Sequence, residues 1–140
     1  TTLEPEEVRQ VFSKETSKTM REMLESVVVD GTGKHAAVTG YSIGGKSGTT
    51  EPLSENEDGI YIASFIGVAP IESPEVVVLV AIYDPQDEDN GHQGGLVAGP
   101  VVSQILSEVL PYLGVASNEE PTEDEVDVWY ENDYMNRKLK

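Results

Sequence analysis

Eight consecutive residues, Val76 to Tyr83, carry only aliphatic or aromatic side chains, and most are β-branched. Branching at Cβ stiffens the side chain and favours strand over helix. A run of this length suits one strand, and apolarity at nearly every position predicts a central strand covered on both faces. The same run is far shorter than the about 20 residues needed to cross a bilayer as a helix.

Its neighbours build a sheet around it. Ile60 to Ala69 reads as a second β-rich run, joined to Glu75–Tyr83 through a hairpin at Pro70-Ile71-Glu72-Ser73-Pro74. Tyr41 to Thr50 reads as a third strand, in which Gly44, Gly45 and Gly48 leave one side of the backbone open to close approach. Before it, Ser13 is placed to cap an amphipathic helix over Lys14–Val28, with Thr16, Met20, Met23, Leu24 and Val27 at helical spacing. Met20 and Met23 are expected to fill the core. The segment Asp30-Gly31-Thr32-Gly33-Lys34 stops that helix.

After an acidic loop from Asp84 to Gly95, Val97, Val101, Ile105, Val109 and Leu113 recur every four residues and predict the packing face of a second helix. Pro100 fits its first turn, and Pro111 should kink or end its last. The fold class expected is α+β: an antiparallel three-strand meander with amphipathic helices before and after it. Three strands make a thin sheet, so further strands and helices are expected to complete it.

Charge narrows the partners. The 140 residues include 26 Asp and Glu against 9 Lys and Arg, for a net charge of −17. Such a chain is repelled by nucleic acid and by an anionic membrane surface. The absence of cysteine excludes disulfides and thiolate metal sites. His35 and His92 stand far apart without metal-ligand spacing, and the acidic residues Asp84, Asp87, Glu88 and Asp89 miss the register of a calcium loop. No metal or other cofactor is expected.

Two motifs compete for one lysine. Gly40, Gly45, Lys46 and Ser47 satisfy the spacing of a phosphate-binding P-loop, and Val78 to Asp84 imitates the strand that ends in a magnesium-holding aspartate. A P-loop lysine must open a helix whose N-terminal amides face the phosphates. Here Gly48-Thr49-Thr50-Glu51-Pro52 follows, which cannot start one, and Lys34 to Thr39 makes a poor buried strand. The other pattern is Lys-Ser-Gly-Thr at Lys46 to Thr49, a signature of serine acyltransferases that react with β-lactams. That chemistry asks for an edge strand bearing a cation, two hydroxyls and a glycine. Alternation puts Lys46 and Gly48 on one face and Ser47 and Thr49 on the other. Gly48 removes a side chain where a peptide must lie close, and an unpaired edge can accept an extended substrate as an added strand.

The surroundings of this tetrapeptide resemble class B penicillin-binding proteins. Glu15 to Val28 with Gly31-Thr32-Gly33-Lys34 is similar to the helix and loop before that family's strand. Tyr61-Ile62-Ala63-Ser64-Phe65-Ile66-Gly67, Ala69-Pro70 and Pro74-Glu75-Val76 are similar to the strand pair after it. Gly94-Gly95, Ala98, Pro100-Val101 and Tyr112-Leu113-Gly114 look like its closing helix. The resemblance implies the C-terminal part of a D,D-transpeptidase domain, which cross-links peptidoglycan through an acyl-serine intermediate on the outer face of a bacterial membrane. It implies that Lys46 orients the site's serines and the ligand's carboxylate, and that the Ser47 and Thr49 hydroxyls bind that carboxylate. It also implies that the Thr49 amide is one of two oxyanion-hole donors.

The departures from the family pattern are equally specific. No serine here has a lysine three residues on, so the Ser-x-x-Lys nucleophile and base are missing. Ser54-Glu55-Asn56 matches the second signature, Ser-x-Asn, but falls after Lys46 where the family places it before. Acylation by penicillin is not expected of this polypeptide alone. The organisation expected is a leader over 1–12, the transpeptidase portion over 13–114 and an acidic mobile tail over 115–140, in which Trp129, Tyr130 and Tyr134 could dock on a partner. The partners implied are the remaining N-terminal part of the domain and a stem peptide or β-lactam. A binding or regulatory module that kept the fold and lost catalysis is the alternative of a different class.

Overall fold

The computed structural model describes residues 8–50, 60–86 and 91–118. Helix α1 spans Lys14–Val29, strand β1 Gly44–Thr49, β2 Ile62–Ala69 and β3 Val76–Tyr83, followed by a single helical turn α2 at Gly94–Val97 and helix α3 at Gly99–Tyr112. A 3-10 turn at Lys34–Ala36 lies between α1 and β1. The sheet is an antiparallel meander in the order β1-β2-β3. The α+β architecture is the one expected from the sequence.

Ser13 caps α1, its hydroxyl accepting from the Thr16 amide at 3.2 Å. The cap meets one of the amides that the first turn of any helix leaves unpaired. The face that packs is set by Ser17, Arg21, Leu24 and Val28, while Met20 and Met23 are exposed. The two methionines are therefore not core fillers. Arg21 Nη1 donates to the carbonyls of Ile71 at 2.7 Å and Glu72 at 2.9 Å, which clamps α1 to the hairpin between β2 and β3.

Helix α3 covers one face of the sheet. Val102, Leu106 and Leu110 are fully buried there, and Val102 packs so closely on β2 that a Cβ at Gly67 would lie 2.6 Å from its side chain. The packing face is one residue away from the series predicted at Val101, Ile105, Val109 and Leu113, of which Ile105 and Leu113 are exposed. A strict four-residue step advances about 40° per repeat around a helix of 3.6 residues per turn, so it drifts off any single face. Pro100 sits in the first turn and Pro111 in the last, as expected.

Among the described residues β3 is an edge strand, not the central one, and only one of its faces is covered. Val76, Val78, Val80 and Ile82 turn toward the core, whereas Val77, Leu79 and Tyr83 are 63%, 67% and 71% exposed. The central strand is β2, whose Ala63, Phe65 and Ala69 are fully buried. Its smaller residues, including Gly67, let α3 approach, which is why the strand with the less apolar sequence lies inside.

The chain after α3 turns back on the body. Tyr41 Oη donates to the Val115 carbonyl at 3.2 Å, and the Asn118 amide donates to the Gly40 carbonyl at 2.7 Å. Ser117 Oγ donates to the same carbonyl at 3.1 Å. The mobile tail expected from Val115 thus gives way to anchored chain through Asn118; Trp129, Tyr130 and Tyr134 lie outside the described residues. No helix among the described residues is long and apolar enough to cross a membrane.

Candidate functional site

Lys46, Ser47, Gly48 and Thr49 all lie on β1, at one margin of the sheet. The Thr50 amide donates to the Ile62 carbonyl at 3.1 Å and fixes the phase of the ladder. Amides alternate in direction along an antiparallel strand. Residues 46, 48 and 50 therefore turn their N–H groups toward β2, and Ser47 and Thr49 turn theirs outward. No strand among the described residues pairs with that outer side.

Side chains alternate about the same backbone. Ser47 stands opposite Phe65 and Thr49 opposite Ala63, on the face that α3 covers. Lys46 stands opposite Ile66 and Gly48 opposite Ser64, on the other face. This is the division expected from strand periodicity. Lys46 lies within a strand and not at the start of a helix, which removes the P-loop geometry.

Lys46 Nζ bends over the edge, donating to the Ser47 carbonyl at 2.7 Å and lying 3.5 Å from Ser47 Oγ. Ser47 Oγ also lies 3.4 Å from Thr32 Oγ1, in the loop between α1 and the 3-10 turn. A Cβ on Gly95 would stand 2.1 Å from the Thr32 carbonyl oxygen, so α2 and this loop meet only because residue 95 is glycine. Thr49 Oγ1 accepts from the Gly94 amide at 3.1 Å, which leaves the hydroxyl hydrogen of Thr49 available for an acceptor outside the protein. Just beyond, the Tyr61 and His92 rings stack with centroids 3.7 Å apart.

Sequence reasoning identified the tetrapeptide but missed Thr32, Ser64 and the Tyr61–His92 stack as its surroundings. The adjacent glycines 94 and 95 were the visible signal, since paired glycines mark close backbone approach. His92 belongs to this stack, and no group of three His, Cys, Asp or Glu among the described residues could hold a metal. Ser54-Glu55-Asn56 and the acidic residues 87–89 lie outside the described residues. At the opposite end of β1, partial burial first, then the neighbouring Glu72 and Glu22 carboxylates, push the Glu25 carboxyl above its ordinary range.

Chemically, the edge offers two outward amides, a cation and two hydroxyls within one strand. It can hold an extended anionic peptide by strand addition and donate to a developing oxyanion. It holds no activated nucleophile of its own.

Comparisons with known proteins identify the family. Residues 1–107 match the family model described as the penicillin binding protein transpeptidase domain. The chain is 46% identical over 109 residues to stage V sporulation protein D of Bacillus subtilis, covering 76% of this chain and 17% of the relative. It is 40% identical over 111 residues to a probable peptidoglycan D,D-transpeptidase PenA of Neisseria flavescens, covering 77% and 27%. Among solved structures, the transpeptidase domain of penicillin-binding protein 3 from Burkholderia pseudomallei superposes with a TM-score of 0.69 at 45% identity, over 79% of this chain and 34% of that one. The chain thus spans about a third or less of the relatives it matches. With well over half its length matched, it belongs to the transpeptidase domain family of the class B penicillin-binding proteins and corresponds to part of that domain.

Proposed function

We propose that the chain is the C-terminal, substrate-edge portion of a D,D-transpeptidase domain that cross-links peptidoglycan. The observation that supports this most directly is the outward Thr49 amide on an unpaired edge, with Lys46 reaching over the same edge. The serine comes from the upstream portion of the domain. Its oxygen attacks the carbonyl of the stem peptide, the peptide C–N bond breaks and the leaving amine takes a proton. The amine of a second stem peptide then displaces the serine. The Thr49 amide donates to the oxyanion in both steps, an interaction of about 3 kcal/mol. Lys46 attracts the substrate carboxylate and orients the serines, and the Ser47 and Thr49 hydroxyls bind that carboxylate.

The upstream portion is also the partner that the exposed sheet face fits. Ile66, Val77, Leu79 and Tyr83 form an apolar surface on the face that Lys46 shares. An element covering it brings its residues to the lysine. By the same reading the whole domain works on the outer side of a bacterial membrane, on stem peptides or on the β-lactams that imitate them.

The test joins the residues that precede the matched stretch in the Bacillus subtilis relative ahead of this chain, and exposes both the chimera and the isolated chain to fluorescent penicillin. Intact mass should show one covalent adduct on the chimera and none on the isolated chain. Lys46→Ala in the chimera should slow adduct formation by about a hundredfold or more. A folded chimera that takes no penicillin refutes the transpeptidase reading and leaves a binding module of the same fold. An adduct on the isolated chain refutes the missing nucleophile, and magnesium-dependent ATP binding would revive the P-loop.

A further inference from the structure

One peptide unit, Gly48 to Thr49, holds the proposed oxyanion donor, and two groups outside β1 fasten it. In a trans peptide the carbonyl and the N–H point in opposite directions. The Gly48 carbonyl turns inward toward β2, where the Ser64 hydroxyl donates to it at 3.3 Å. Fixing that oxygen aims the Thr49 N–H outward. The Thr49 side chain is held in turn by the Gly94 amide at 3.1 Å.

Gly94 fits where no other residue would. A Cβ there would stand 2.2 Å from the Ser64 carbonyl oxygen and 2.4 Å from that of Gly48. The approach is to the same peptide unit. Gly48 itself shares this economy of space, since a Cβ on it would lie 2.7 Å from Ser64 Oγ and displace the hydroxyl that pins its carbonyl. The Tyr61–His92 stack ties the chain just before β2 to the chain just before Gly94, so both fasteners are referenced to the central strand.

We infer that Ser64 and Gly94 are positioning residues that set the direction of the Thr49 amide, and through it the acylation rate. The inference rests on the transpeptidase reading above. Neither residue touches substrate; both act through the Gly48–Thr49 peptide. Ser64→Ala removes the hydroxyl bond that supplements the backbone ladder at the Gly48 carbonyl, while leaving Lys46, Ser47 and the Thr49 hydroxyl in place to bind the carboxylate. Loss of aim should therefore slow acylation without weakening binding.

The experiment uses the chimera with Ser64→Ala, Ser64→Thr and Gly94→Ala, and measures the dissociation constant for benzylpenicillin separately from the acylation rate constant. It also records the infrared stretch of the acyl-ester carbonyl, which rises in frequency when oxyanion donors are lost. Ser64→Ala and Gly94→Ala should acylate about tenfold or more slowly and raise the carbonyl frequency, and Ser64→Ala should keep a dissociation constant within about twofold of the parent. Ser64→Thr, which keeps the hydroxyl, should restore most of the rate. Parental rate and frequency in Ser64→Ala overturn the inference, as does a change confined to the dissociation constant. If Ser64→Ala does not fold, Gly94→Ala decides on the acylation rate and the carbonyl frequency, and if neither folds the two residues are structural and the inference fails. Silence of the unmodified chimera would instead count against the transpeptidase reading, so the two failures are separable.

Discussion

Single residues differ sharply in how much rests on them. Leu106 is fully buried between α3 and the sheet, so Leu106→Ala should lower the unfolding free energy by about 2–5 kcal/mol, read from chemical denaturation. Glu25 acts in the opposite sense. Its carboxyl is raised by burial and by two like charges, so its contribution to stability is full only below the unfolded carboxylate range and is lost as pH rises through the higher folded value. Glu25→Gln should melt at a higher temperature than the parent at pH 7, and the difference should vanish well below about pH 4, where the acid is protonated in both states. Residues whose role is local were legible beforehand. Lys46 to Thr49 form a contiguous motif with a strand's alternation, and Ser13 precedes a helix. Ser64, Thr32 and His92 were not, because each acts on residues far away in sequence through contacts that only the folded topology creates.

Elements were legible in number and type, less so in placement. Composition located α1, the three strands and the closing helix to within a few residues. It misplaced β3 because eight apolar residues look the same whether their second face is covered by this chain or left for another. It misphased α3 because valine and isoleucine at 101, 105 and 109 flank the true stripe on one side, whereas the buried Ser103 on its other side contributes to packing without an apolar signature; Ser103 Oγ donates to the Ala37 carbonyl at 2.6 Å. Arg21 adds a polar clamp to the packing of Leu24 and Val28 that joins α1 to the sheet. Arg21→Ala should cost about 1.5–3 kcal/mol by removing the two charge-assisted bonds to the hairpin, and hydrogen exchange should show Ile71 and its neighbours opening more often. Arg21→Lys should recover only part, since an ammonium lacks the flat guanidinium geometry that sets Nη1 between the two carbonyls.

At the scale of the whole molecule, one side of the sheet is finished and the other is not. The α3 side has a buried core of Phe65, Val102, Leu106 and Leu110, and the opposite side presents Ile66, Val77, Leu79 and Tyr83. Leu79→Glu should leave the melting temperature of the isolated chain within a few degrees, because that side chain is mostly exposed. In the chimera the same change should place a charge under the upstream portion and lower its melting temperature by several degrees or more, measured by calorimetry. Equal effects in both proteins would mean that nothing covers this face.

The return of the chain to Gly40 has a practical corollary. Asn118 is tied to the Gly40 carbonyl and lies 3.4 Å from a Glu72 carboxylate oxygen, at the hairpin end of the sheet, whereas Thr49 lies at the other end of β1. Five residue steps along β1 separate its two ends by about 17 Å. A fluorophore or affinity handle attached just after Asn118 would therefore leave the body on the side away from the edge that meets substrate, and could report on penicillin capture without competing for it.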